Sequence, residues 1–175
     1  MPSSILHPPS SLVLSVTNRQ RTKKIDSRFL KQVVAELFTE LQITEAELGI
    51  LLVGAQEMAR VNWQHLQHEG STDVITFDYR ESARQRLART PAPPSLHGEL
   101  FICVDDAVSQ AKEFGTNWQS EIVRYVVHGV LHLLGHDDLK PNLRRQMKRE
   151  ENRLVRHLEK RFALAHLSRT AKMSA

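Results

Sequence analysis

Apolar positions along the 175-residue chain switch between two periods, and the switches mark its elements. Leu12 to Thr17 alternate as a half-buried strand does. Phe29, Leu30, Val33, Val34, Leu37 and Leu41 then recur at helical spacing, behind an Asp26 or Ser27 that can cap the helix. Leu48 to Val53 is a short continuous apolar run, as in a buried strand, ended by Gly54 and followed by a helical stretch from Ala55 to Gln64. Thr72 to Phe77 and Gly98 to Val104 are β-rich and predict a third and a fourth strand. Asp105 can cap the next helix, which Gly115 closes. Thr116 and Gln119 stand at capping-box spacing before a helix running to Leu134, with Gly135 placed just past its end. Pro141 suits the first turn of a last helix, with Leu143, Met147, Leu154, Leu158 and Phe162 inward. No repeat and no linker divides the chain. The pattern predicts an α+β fold: one domain over 11–163, about four strands in one sheet packed with about five helices. Residues 1–10 and 164–175 are expected to be loose termini, and Arg80 to Ser95, with three prolines, an exposed loop.

Composition narrows the function classes. A single cysteine, Cys103, excludes a disulfide framework and a four-cysteine zinc site, and its place in a strand predicts an inert buried thiol. No apolar run reaches the ~20 residues of a membrane span. The first ten residues lack the pattern of a secretory signal, so a cytoplasmic location is expected. The formal charge is +4, a mild bias toward anionic partners. That charge is unevenly spread. A basic cluster, Arg19, Arg21, Lys23 and Lys24, follows the first strand. The last helix carries nine basic residues between Lys140 and Arg161 against Glu150, Glu151 and Glu159, a net of about +6.

Nine histidines point to the chemistry. The densest stretch is H-G-V-L-H-L-L-G-H-D-D, His128 to Asp138. Four residues on a helix turn about 400°, so His128 and His132 project from one face and can reach one zinc ion. Their helix is apolar nearly all round, and buried imidazoles need partners, which a metal supplies to both. Gly135 lets the chain double back. Asp138 can then return to the same ion as third ligand, and the geometry favours it over His136; Asp137 is the other rival. Two histidines and one carboxylate leave a coordination position for water, as catalytic zinc sites do.

These residues resemble the YbeY family, single-domain metal-dependent endoribonucleases of bacterial rRNA maturation. The family signature H-G-x-L-H-L-x-G-(Y/H)-D-H is matched at His128, Gly129, Leu131, His132, Leu133, Gly135, His136 and Asp137. T-D-V-I-T-F at Thr72 to Phe77 is similar to the family's T-D-V-L-S-F, and H-G-E-L-F-I-C at His97 to Cys103 to its L-G-D-I-x-I-C. The blocks lie in the family's order, and the resemblance spans about 12–160. It implies a mixed sheet, one zinc per chain, single-stranded RNA as substrate, and a role in late small-subunit rRNA maturation and ribosome quality control. The chain departs from the family twice. Asp138 stands where the family has its third metal-binding histidine. His65 and Leu66 stand where it has Tyr-Arg, an arginine suspected of binding RNA or taking part in catalysis. Arg60, a turn earlier, is a possible substitute. His65 and His68 lie close by and could face the cleft, but exposed surface histidines are the expected reading.

An ion so held activates water and polarises a phosphate oxygen, which suits cleavage of RNA phosphodiesters. Gly129 occupies the position of the glutamate general base in H-E-x-x-H peptidases, which removes the peptidase reading. The acid or base is not evident from sequence. Asp73 is a weak candidate, set against a bracing role through side-chain–backbone bonds. Glu99 is a candidate to orient a ligating histidine, or simply begins a strand. Arg145, Lys148 and Arg149 on the last helix are the expected RNA contacts, with the Arg80–Arg89 stretch a second candidate. The rival from another class is a non-catalytic ribosome-assembly factor in which the metal holds the fold.

Overall fold

The computed structural model describes residues 11–80 and 94–169. Its four strands are β1 (Ser11–Asn18), β2 (Glu45–Val53), β3 (Val74–Asp78) and β4 (Ser95–Cys103). They form one mixed sheet in the order β1-β2-β4-β3, with β1, β2 and β4 parallel and β3 antiparallel to β4. Five α-helices surround it among the described residues: α1 (Ser27–Glu40), α2 (Ala55–Leu66), α3 (Val104–Phe114), α4 (Trp118–Leu133) and α5 (Pro141–Arg161). The fold is the α+β arrangement expected from the sequence.

The period-2 alternation sends the strands' side chains to two different cores. Ala46, Leu48, Ile50 and Leu52 of β2, with Leu96, Leu100 and Ile102 of β4, face α1, α4 and α5 in the main core. Val53 and Cys103 turn to the opposite face, against Met58 of α2 and Ile75 of β3. Helix α4 runs through the main core, and Gly129 sets how closely it approaches the sheet. A Cβ at that position would stand 2.6 Å from Leu100 Cδ2. The glycine that removes a peptidase base is therefore a packing requirement. α5 lies against α1, and Glu36 and Glu40 of α1 pair with His157, Arg153 and Arg161.

Four expectations are corrected. Helix α3 starts at Val104, two residues earlier than a cap at Asp105 would place it, and Asp105 serves a different helix. Its Oδ2 accepts from the Ala55 N–H at 2.6 Å, at the start of α2, where Gly54 has no side chain to offer. Asn117, not Thr116, caps α4, by accepting from the Ser120 N–H at 2.8 Å. The tail is not loose at Leu164: Leu164–Leu167 forms a 3₁₀ turn with Leu167 wholly buried. Ser168 makes a bridge with Ile25, and the Arg169 N–H donates to the Lys24 carbonyl at 2.9 Å. Burial of two leucines is reason enough for the segment to stay docked. Lastly, Arg80 is a structural residue. Its guanidinium binds Asp78 at 2.6 Å and donates to the Leu133 carbonyl, closing the last turn of α4. Of the predicted exposed loop, residues 81–93, with Arg84, Arg86 and Arg89, lie outside the described residues, and Ser95 already opens β4.

Candidate metal centre

The end of α4 is built so that the chain reverses. Gly135 has φ +95°, a left-handed position that Cβ-bearing residues avoid. The His136 N–H reaches back to the Leu131 carbonyl at 3.0 Å and the Gly135 N–H to the His132 carbonyl at 2.9 Å, a Schellman closure. The reversal brings Asp138 beside His132, with Oδ2 3.9 Å from Nε2. His128 and His132 stand edge to face with ring centroids 4.6 Å apart. One donor atom from each of His128, His132 and Asp138 lies within 4.8 Å of the others, the one such cluster among the described residues.

The hydrogen bonds of the two rings fix their tautomers. His132 Nδ1 is 3.0 Å from the His136 carbonyl and His128 Nδ1 is 3.0 Å from Glu151 Oε2. Both partners only accept, so each neutral ring carries its proton on Nδ1 and turns an Nε2 lone pair inward. The two Nε2 atoms are 3.0 Å apart. Two lone pairs at that distance repel unless a cation lies between them. The donor set thus fits a metal, and its orientation is that of metal-ligating histidines braced by a carboxylate and a carbonyl.

Glu151 of α5 is the main residue the sequence reading missed. It is 3% exposed and accepts from His128, from Arg124 Nη1 at 2.6 Å and from Lys148 Nζ at 2.7 Å. Burial pushes its carboxyl up, but the bonds from His128, Lys148 and Arg124 outweigh it and hold the group down at about 2. A signal was present: Glu151 sits on the apolar stripe of Met147, Leu154 and Leu158, where an acid needs partners. Glu99, the residue expected to orient a histidine, instead accepts from the Tyr79 hydroxyl at 2.7 Å on the sheet.

Two clefts border the cluster. One, of about 200 Å³, is lined by Asp73, Tyr125, Arg124, Arg144 and Lys148 beside His128 and Asp138. The other, of about 470 Å³, runs along β3 past His65, Leu66 and Phe77 to His128, His132 and Asp138. Asp73 borders both. Its Oδ1 braces the local backbone, accepting from the Val74 N–H at 2.9 Å and the Thr72 hydroxyl at 3.1 Å, while Oδ2 has no hydrogen bond among the described residues. His65 is exposed, as expected, and it also lines the cleft, with its ring 4.9 Å from that of Phe77. Arg60 is exposed and borders neither cleft. His136 contributes its carbonyl, and Asp137 caps a turn by accepting from the Leu139 N–H. Arg145, Lys148 and Arg149 share one exposed face of α5, and Lys148 also reaches the smaller cleft. Tyr125 is buried, and its hydroxyl has no hydrogen-bond partner among the described residues.

Fold and donor set together define a single-domain α+β protein with a histidine-carboxylate centre open to a cleft. The profile of the family described as Endoribonuclease YbeY matches residues 15–159, and the chain belongs to that family. It is 30% identical over 148 residues to the Endoribonuclease YbeY of Salinibacter ruber, covering 81% of this chain and 89% of the relative. The Endoribonuclease YbeY of Chlorobium luteolum is also 30% identical, over 145 residues, with 83% and 97% covered. A solution structure of the Thermotoga maritima protein TM1509 superposes with a TM-score of 0.63 over 93% of this chain and all of that one. At 19% identity, that likeness speaks for the fold alone.

Proposed function

We propose that the chain is a zinc-dependent, single-strand-specific endoribonuclease acting in late small-subunit rRNA maturation and ribosome quality control. Family membership gives the coarser assignment, an endoribonuclease, a hydrolase acting on RNA. The observation that carries the finer one is the convergence of two inward Nε2 lone pairs and the Asp138 carboxylate beside a cleft. His128, His132 and Asp138 hold one zinc ion per chain. When bound, that ion supplies Lewis acidity toward a phosphodiester and activates water near neutral pH. Glu151 and the His136 carbonyl orient the two rings through Nδ1, so that each presents Nε2 to the ion. Asp73 borders both clefts, and its Oδ2, which has no hydrogen bond among the described residues, is the best-placed group to hold or move a proton. Lys148 at the rim of the smaller cleft, with Arg145 and Arg149 on the same exposed face of α5, receives the RNA backbone.

Elemental analysis tests the site. The purified protein carries about one zinc per chain; His128→Ala and His132→Ala abolish it, and His136→Ala retains it. Full zinc in the first two variants overturns the ligand set, and loss in His136→Ala as severe as in Asp138→Ala makes His136 the third ligand. The rival reading, a non-catalytic assembly factor, draws on Leu66, which puts an apolar side chain at the cleft where the family has its arginine. Metal-dependent cleavage of single-stranded RNA separates the two.

A further inference from the structure

A groove of about 1270 Å³ lies away from the metal cluster. It is formed by the turn between β1 and α1, the start of α1 and the docked segment ending at Arg169. Arg21, Lys23, Lys24, Arg28 and Arg169 line it, with Asp26 the only acid among the described residues. That is a net of +4 in one groove, as much as the formal charge of the whole chain. Asp26 is occupied as the cap of α1, accepting from Arg28 and Phe29 N–H groups. None of the five cations has an ion-pair partner among the described residues. On α5, three of the nine basic residues, Lys148, Arg153 and Arg161, each hold a glutamate.

The groove is built, not a chance cluster. The Gln20 amide is buried and spans the turn: its nitrogen donates to the Lys23 carbonyl and to Asn18 Oδ1, both at 2.8 Å, and its oxygen accepts the Lys23 N–H at 2.9 Å. The far wall is fixed by the Ile25–Ser168 bridge. Lys23 Nζ lies 5.9 Å from the Trp118 ring, at the first residue of α4. His128 and His132 are ten and fourteen residues further along that helix, about 15–21 Å away. Cations presented by a braced turn and left without counter-charge among the described residues form a track for a polyanion.

We infer that this groove docks the phosphate backbone of RNA at a second place, remote from the metal cluster. The inference rests on the RNA-directed reading above. A strand held at both places is bound bivalently, so the groove raises the occupancy of the cleft without touching the reacting bond.

The test uses the full chain and a fluorescein-labelled single-stranded RNA, with chelator present so that binding is read without cleavage. Arg21→Gln/Lys24→Gln/Arg28→Gln is compared with Lys112→Gln/Arg156→Gln/Lys160→Gln, which removes equal charge outside the groove. Losing three phosphate contacts makes log K against log salt shallower by roughly 2 and weakens binding at low salt by at least about fivefold. The control changes far less. Equal behaviour of the two variants overturns the inference. So does polyglutamate binding the wild type more tightly than RNA at the same salt and losing that advantage in the groove variant, which would assign the groove to an acidic polypeptide. Cleavage by the zinc-loaded protein is measured separately. RNA cleavage with no groove effect leaves the nuclease reading standing and sinks the groove; a groove effect on binding with no cleavage does the reverse.

Discussion

Replacing Glu151 by Gln keeps the side chain's shape and removes its charge, and the consequences follow from the three donors that meet there. His128 Nδ1–H, Arg124 and Lys148 all point at the carboxylate. A glutamine offers one acceptor oxygen and an NH₂, so at least one donor faces another donor. The net lowering of the Glu151 pKa from 4.5 to about 2, after burial has pushed it the other way, corresponds to roughly 3 kcal/mol in favour of the ionised form. Lys148 is more than half exposed and Arg124 partly so; both regain water when released. The expected stability loss is therefore about 1–3 kcal/mol, below the ~3–5 of a fully buried pair. The sign with pH is fixed. The folded-state pKa lies below the unfolded one, so the contribution is complete above about pH 4.5 and fades as pH falls toward 2. Metal affinity falls as well, by about 10- to 100-fold, because the histidine loses the anion that orients it and raises its basicity. Urea unfolding at pH 7 and in steps below pH 4.5, in chelator, measures the first effect. Zinc competition titration at pH 7 measures the second. A variant as stable as wild type, with zinc affinity within twofold, would refute the argument that Glu151 braces His128.

Asp138→His keeps the metal and favours zinc over manganese more strongly than wild type does, since imidazole is the softer donor; unchanged selectivity in competition titrations would place Asp138 outside the donor set. Tyr125→Phe costs less than about 1 kcal/mol in urea unfolding, because it deletes a buried hydroxyl without a partner; a loss above about 2 kcal/mol would reveal a hidden one, such as a buried water. Cys103 is wholly buried, with its thiol pushed by burial up to about 12. It therefore resists alkylation by iodoacetamide at pH 8 in the folded protein and reacts on unfolding; rapid reaction in the native state would contradict its placement.

The elements legible in the sequence are those whose signals are local. The apolar stripe of α1, the buried run of β2 and the glycine after α4 each state their own role. The histidine pair is legible for the same reason, since one helical turn fixes its geometry. What escaped depends on partners distant in sequence. Asp105 looks like a cap for the helix beside it, yet it caps one that begins fifty residues earlier. Leu164 and Leu167 read as a frayed end, because only the three-dimensional fold brings them against the start of α1. Glu151 counted as one charge among many on a basic helix, and only its position within the apolar stripe distinguished it. Arg80 looked like a loop cation until the end of α4 arrived beneath it.

The central claim is that His128, His132 and Asp138 hold the ion on which RNA cleavage depends. Its most direct test is the rate of single-stranded RNA cleavage by protein stripped with chelator and then titrated with zinc. The account predicts no cleavage by the stripped protein, and activity that rises with added zinc and saturates near one equivalent per chain. Cleavage that persists after stripping, or that never appears at one equivalent, would contradict it.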